Sequence, residues 1–276
     1  MPAKPLDEII EAQKAKRAKE LGIFNDFDLK LSGSHDLPHF EVNLPWYVEQ
    51  EEILVKQRLK TGSTGLDSLL DGGMGRGYIT DFYGPRSSGK SQLCFQLALN
   101  NSAAEENTLF IDTLGSFRPE RIKQIANYKD FDAKKILDRI FVLRCLTVDQ
   151  QLIMPQKISE FLKETKASLA IIDDITNNFV PSKSEETNIE LRSLFTKHLH
   201  EISHLAWEHS LFMVITNSVR SRPEVEGVKV TRETFAQIMS RAIAERIKLD
   251  KAGRYIVASK EGKTARFSLT EEGVQD

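Results

Sequence analysis

Only two cysteines, Cys94 and Cys145, occur in 276 residues. That scarcity excludes a disulfide framework, and both fall in apolar surroundings where they read as small core residues. No apolar run approaches the roughly 18 residues that cross a bilayer. The N-terminal Met1-Pro2-Ala3-Lys4-Pro5-Leu6-Asp7 has no apolar signal-peptide core. Together these absences predict a cytoplasmic protein with no membrane anchor. An excess of one charge is also missing: the net charge is −2, which excludes a globally basic nucleic-acid binder and requires any phosphate-facing surface to be local. Internal repeats and low-complexity tracts are absent. What remains, 40% hydrophobic and 28% charged, is the composition of a globular protein with ample core.

One run stands out. Gly84-Pro85-Arg86-Ser87-Ser88-Gly89-Lys90-Ser91 has the spacing G-x-x-x-x-G-K-[ST], between an apolar run at 78–83 and an amphipathic run that begins at Gln92. Strand, glycine-bearing loop and helix in that order form a P-loop. The glycines let the loop curl so that backbone N–H groups point at phosphate oxygens, and the helix N-terminus adds partial positive charge. Lys90 is placed to reach the β- and γ-phosphates, and the Ser91 hydroxyl to ligate Mg²⁺. A nucleoside triphosphate is the expected ligand.

Residues 1–55 differ from the rest and are expected to form an N-terminal extension. It has a helix over 6–21 stopped by Gly22, then a linker with Trp46-Tyr47 beside Pro45. Residues 56–276 read as one α/β core. Strands are predicted at 108–113, 140–145, 169–172 and 211–216. Helices start at Pro119, after a Thr147 cap, and near 186. A strand near 244–249 and a hairpin from 255–258 and 265–269 complete the pattern. The alternation predicts a mainly parallel sheet flanked by helices. Four apolar residues, Leu169 to Ile172, close on Asp173, so a rigid strand aims one carboxylate at a metal's water shell, with Asp174 as its neighbour.

Several further motifs follow in order. They are Thr61-Gly62-Ser63-Thr64-Gly65-Leu66-Asp67-Ser68-Leu69-Leu70 before Asp71-Gly72-Gly73, the P-loop with Gln92-Leu93-Cys94, and Asp112-Thr113-Leu114-Gly115-Ser116-Phe117-Arg118-Pro119-Glu120-Arg121. Ile215-Thr216-Asn217 and Phe267-Ser268-Leu269-Thr270-Glu271-Glu272-Gly273-Val274 complete the set. Over about residues 55–276 they resemble the RecA/RadA recombinase superfamily, and most of all the archaeal RadB-type recombinase paralogues. Those paralogues lack the N-terminal helix-hairpin-helix domain of RadA, and none is read here. The resemblance implies a RecA-type P-loop ATPase core that uses ATP and Mg²⁺ and acts on single-stranded DNA in recombination and repair. It implies nucleotide contacts from residues 84–91, Gln92, Arg118 and Asp173, with Ser91 and Asp173 at the metal and Arg118-Pro119 against the adenine.

The departures matter as much. The position of Leu114 is a water-positioning glutamate in the active recombinases, and a leucine can neither accept a proton nor orient a water. Filling the core at a strand end is the alternative role for this leucine. Ser218 stands where the family has a γ-phosphate-sensing glutamine and is too short to reach. The proline-containing segment that caps a neighbouring protomer's ATP is absent from 260–267, and no F-x-x-A peg is evident before Thr61. ATP is therefore expected to be bound and hydrolysed slowly or not at all, with Asp112 and Asp174 as candidate substitute bases.

The family places two DNA loops after the fourth and fifth strands. The first, about 177–186, has one lysine, Lys183, among glutamates. The second carries Arg220, Arg222, Lys229 and Arg232, and over 219–266 twelve lysines and arginines face six acidic residues. Salt-sensitive, sequence-blind phosphate contact is expected there, with a plain solvated face as the alternative. His200-Glu201-Ile202-Ser203-His204 fits H-E-x-x-H, but Leu191, Leu194, Phe195, Leu199, Ile202 and Leu205 form that helix's core stripe. The histidines then fall on a wetter face where no cleft is expected, so zinc catalysis is not the reading. The sequence reading is an ATP-controlled accessory recombinase binding single-stranded DNA or a RecA/RadA-type partner, with self-association open. The alternatives are an active DNA-dependent strand-exchange ATPase and a protein-binding signalling ATPase of the same superfamily.

Overall fold

Leu169 to Asp173 is buried at every position, as a strand covered on both faces must be. It has a strand paired on each side in a computed structural model that describes residues 57–180, 184–221 and 231–276. The expected N-terminal extension lies outside the described residues. The elements in order are α1 (Thr64–Leu69), β1 (Tyr78–Pro85), α2 (Lys90–Ala103), β2 (Thr108–Asp112), α3 (Pro119–Tyr128), α4 (Ala133–Leu137), β3 (Ile140–Arg144), α5 (Val148–Thr165) and β4 (Leu169–Asp173). They continue with α6 (Glu185–Glu208), β5 (Phe212–Ser221), β6 (Thr231–Glu233), α7 (Ala236–Ala242), β7 (Glu245–Ala252), β8 (Tyr255–Lys260), β9 (Lys263–Thr270) and β10 (Gly273–Gln275).

The strand order is β3-β2-β4-β5-β1-β7-β8-β9-β10, with β6 paired to β5. Pairing is parallel from β3 to β7 and antiparallel from β7 to β10. The fold class read from the sequence is thus what the chain adopts, with the expected hairpin, β8–β9, enlarged into a four-strand antiparallel flank. Helix starts follow local chemistry. Pro119 sits in the first turn of α3, and the Thr147 hydroxyl accepts from Gln150 N–H at 3.2 Å to cap α5.

Two cores cover the sheet. On one face α2 and α3 pack Phe95, Phe110 and Phe117 as an aromatic trio with centroids 4.9 to 5.8 Å apart. On the other, α6 and α7 bring Phe195 and Phe235 into a stack at 4.4 Å, beside Phe179. Burying one such ring contributes about 1.5–3 kcal/mol. The stripe expected on α6 needs one correction: Leu194 is 41% exposed, because the buried face turns through His198 instead. Cys94 and Cys145 are both free and buried. Among the described residues no helix is long and apolar enough to cross a membrane.

Parallel pairing brings the carboxyl ends of β1, β2, β4 and β5 to one edge. Gly84 pairs with Ser218, Tyr83 with Asn217, and Asp112 with Asp173. Ligands bind α/β sheets beyond this edge.

Candidate nucleotide-binding site

Between β1 and α2 the chain turns through Arg86 and Ser87, both exposed, and Gly89 caps α2 at φ 92°, a left-handed conformation that favours glycine. Contact makes Gly84 equally obligatory: a Cβ there would lie 2.1 Å from the Leu249 carbonyl oxygen of β7. The antiparallel flank therefore presses on the back of the loop. Lys90 Nζ donates to the Gly84 and Pro85 carbonyls, each at 2.9 Å. Burial lowers its pKa, and the Asp174 and Asp173 carboxylates oppose that shift.

Asp173 ends β4 with its side chain buried. Oδ1 accepts from the Thr216 hydroxyl at 2.6 Å, the Ser91 side chain lies close by, and burial raises the carboxyl pKa against both. The buried Asp173 Oδ2 and Ser88 Oγ have no hydrogen-bond partner. A buried polar atom without a partner is costly, and here one lies in the loop and the other at the end of β4, on a carboxylate that acts on Lys90. These residues fit a Mg²⁺–phosphate group: backbone N–H groups of 86–91, one ammonium, one hydroxyl and one carboxylate are the required donor set.

Beyond β2, Asp112 accepts from the Leu114, Ser116 and Phe117 N–H groups at 3.2, 3.0 and 3.1 Å. Its carboxylate is committed to folding the 113–117 loop. Asp174 is committed too: Oδ1 accepts from Thr176 N–H at 2.8 Å, and Oδ2 from the Ser218 hydroxyl. Neither offers an idle carboxylate as a substitute base. Leu114 does not fill the core at the strand end; it is 44% exposed at the lip of this edge, so that alternative role is corrected. Arg118 precedes α3 and turns onto the Gly115 and Phe117 carbonyls, while Arg121 donates to Gln92 Oε1 at 2.8 Å.

Compared with known protein families, the chain matches the family described as Rad51 over residues 51–276. The chain belongs to the Rad51 family. Among the relatives it resembles is the DNA repair and recombination protein RadA of Metallosphaera sedula, 31% identical over 247 residues, 83% of this chain and 75% of that protein. The RadA of Aeropyrum pernix is 31% identical over 235 residues, 80% and 73% of the two chains. Membership of the RecA/RadA recombinase superfamily, read from the ordered motifs, is borne out.

Within this Rad51-family chain the expected DNA contacts are only partly described. Arg220 and Arg232 are backbone partners in the β5–β6 register; Arg222 and Lys229 lie outside the described residues, as does Lys183. The H-E-x-x-H face also needs a correction, since His200, Glu201 and His204 line a shallow groove against Pro155, Gln156 and Ser159 of α5. Among the described residues no three potential ligands converge on a metal, and His204 Nδ1 lies 3.4 Å from Glu208. Sequence reasoning missed the polar set behind the edge: Asp81, Thr176, Asn217, Glu233 and Arg246. The signal was there for one of them, because Asp81 interrupts the apolar run at 78–83.

Proposed function

We propose that this chain is an ATP-binding DNA repair and recombination protein, a RadB-like paralogue that binds single-stranded DNA or a recombinase partner under ATP control with weak or absent hydrolysis. ATP with Mg²⁺ supplies a phosphoanhydride whose charge the cation neutralises. In this reading Lys90 and the N–H groups of the 84–91 loop hold the phosphates. Ser91 and Asp173 hold the metal, Gln92 and Arg118 border the nucleotide, and Arg220, Arg222, Lys229 and Arg232 meet DNA phosphates. The observation that carries the reading is Leu114, exposed just past the end of β2, with the two candidate substitute bases, Asp112 and Asp174, both committed to hydrogen bonds. Without a base, the attacking water keeps its proton and turnover stalls.

The test is phosphate release by the natural chain and by Leu114→Glu, each with and without single-stranded DNA. The natural chain is expected to bind Mg-ATP and release almost no phosphate, and Leu114→Glu to raise release by about 100-fold, the scale of one general base. DNA-stimulated release by the natural chain would identify an active strand-exchange ATPase instead.

A further inference from the structure

Side chains behind the nucleotide edge form one unbroken polar chain. Arg246 on β7 donates through Nε to Asp81 Oδ2 on β1 at 2.9 Å, and through Nη2 to Glu233 Oε1 at the end of β6. Asn217 on β5 donates to the same Glu233 oxygen at 2.7 Å. The Thr176 hydroxyl faces Asn217 Oδ1 at 2.9 Å and Asp174 Oδ1 at 2.8 Å. It has one proton for two acceptors, so strengthening either bond weakens the other.

Stability alone gives no reason for this arrangement. Asp81, Glu233 and Arg246 are 0, 10 and 13% exposed, and two carboxylates share one guanidinium. Asp81 Oδ1 is buried without a partner. Burial pushes the Asp81 carboxyl up to about 7 and raises that of Glu233, against the pull of Arg246. Apolar residues of the same size would avoid that desolvation cost. The guanidinium is also held over the Tyr83 ring, 4.4 Å from its centroid, so the triad is rigid. Glu233 therefore grips the base of the β5–β6 hairpin from one side and Asn217 from the other.

We propose that Glu233 is a positioning residue that ties the β5–β6 hairpin, through Asn217 and Thr176, to the Asp174 carboxylate beside the P-loop, so that the phosphate site and the hairpin change together. The inference rests on the nucleotide-binding reading above and adds the route of its control. Coupling runs both ways: whatever the nucleotide does to the hairpin, a ligand on the hairpin does to nucleotide affinity.

Amide hydrogen exchange at 212–221 and 231–233 tests the route on the full chain, with nucleotide occupancy followed separately by fluorescent ATP. In the natural chain saturating Mg-ATP is expected to slow exchange at these amides by about fivefold or more. Glu233→Ala should keep its nucleotide affinity and lose the slowing, and Glu233→Gln, which retains an acceptor for Asn217, should recover most of it. A purely structural role predicts instead that Glu233→Ala lowers the urea midpoint and leaves the slowing intact, which overturns the proposal. So does unchanged exchange in the natural chain at full occupancy. If the natural chain binds no nucleotide, the functional reading fails and the relay is judged by Asp174→Asn alone: faster exchange at 231–233 sustains it, and unchanged exchange removes it.

Discussion

At Gly84 the Leu249 carbonyl occupies the space where a side chain would begin, so Gly84→Ala must push β7 away from the loop. The expected cost is about 1–3 kcal/mol in urea unfolding, the usual scale of overpacking, with a parallel loss of nucleotide affinity. Lys90 is different, because its neighbours are carbonyls of its own loop and its charge is partly desolvated. Lys90→Met should leave the fold intact by circular dichroism and weaken Mg-ATP binding by about tenfold to a hundredfold, the value of charge-assisted hydrogen bonds to phosphate.

Two buried titratable groups on different elements act on stability with opposite sign. His198 of α6 is buried without a partner for either ring nitrogen, and burial lowers its pKa from 6.5 to about 4. The unfolded chain therefore binds the proton first, and stability is lost as pH falls from 6.5 through 4, by about 3 kcal/mol. Asp81 of β1 is raised from 3.8 to about 7, so the folded chain holds the proton and stability is lost as pH rises through that window. The two slopes oppose each other between pH 4 and 6.5. Urea midpoints of His198→Leu are expected to fall with rising pH, and those of Asp81→Asn to rise. Parallel profiles would contradict both assignments. Elements differ in how openly the sequence shows them. β4 and the P-loop are legible because a fully buried strand is a plain apolar run and the loop's glycines have fixed spacing. β6 and β10, Thr231–Glu233 and Gly273–Gln275, have three residues each and no alternation to read. The Asp81–Arg246–Glu233 contact joins residues far apart in the chain, which no local pattern encodes.

For the molecule as a whole, the sheet gathers at one edge a phosphate-binding loop, the Asp173 and Asp174 carboxylates and the base of the β5–β6 hairpin. Under the proposed function, a net charge of −2 leaves DNA attraction to the local excess of basic residues, so the proposal predicts binding that weakens steeply with salt. Lost phosphate contacts should cost affinity equally on all sequences. The most direct measurement is fluorescence anisotropy of a labelled single-stranded oligonucleotide, with and without Mg-ATP, over a salt series, with phosphate release followed in the same tubes. The account predicts nucleotide-dependent, salt-sensitive binding with negligible release. Binding indifferent to nucleotide, or absent at low salt, would contradict it.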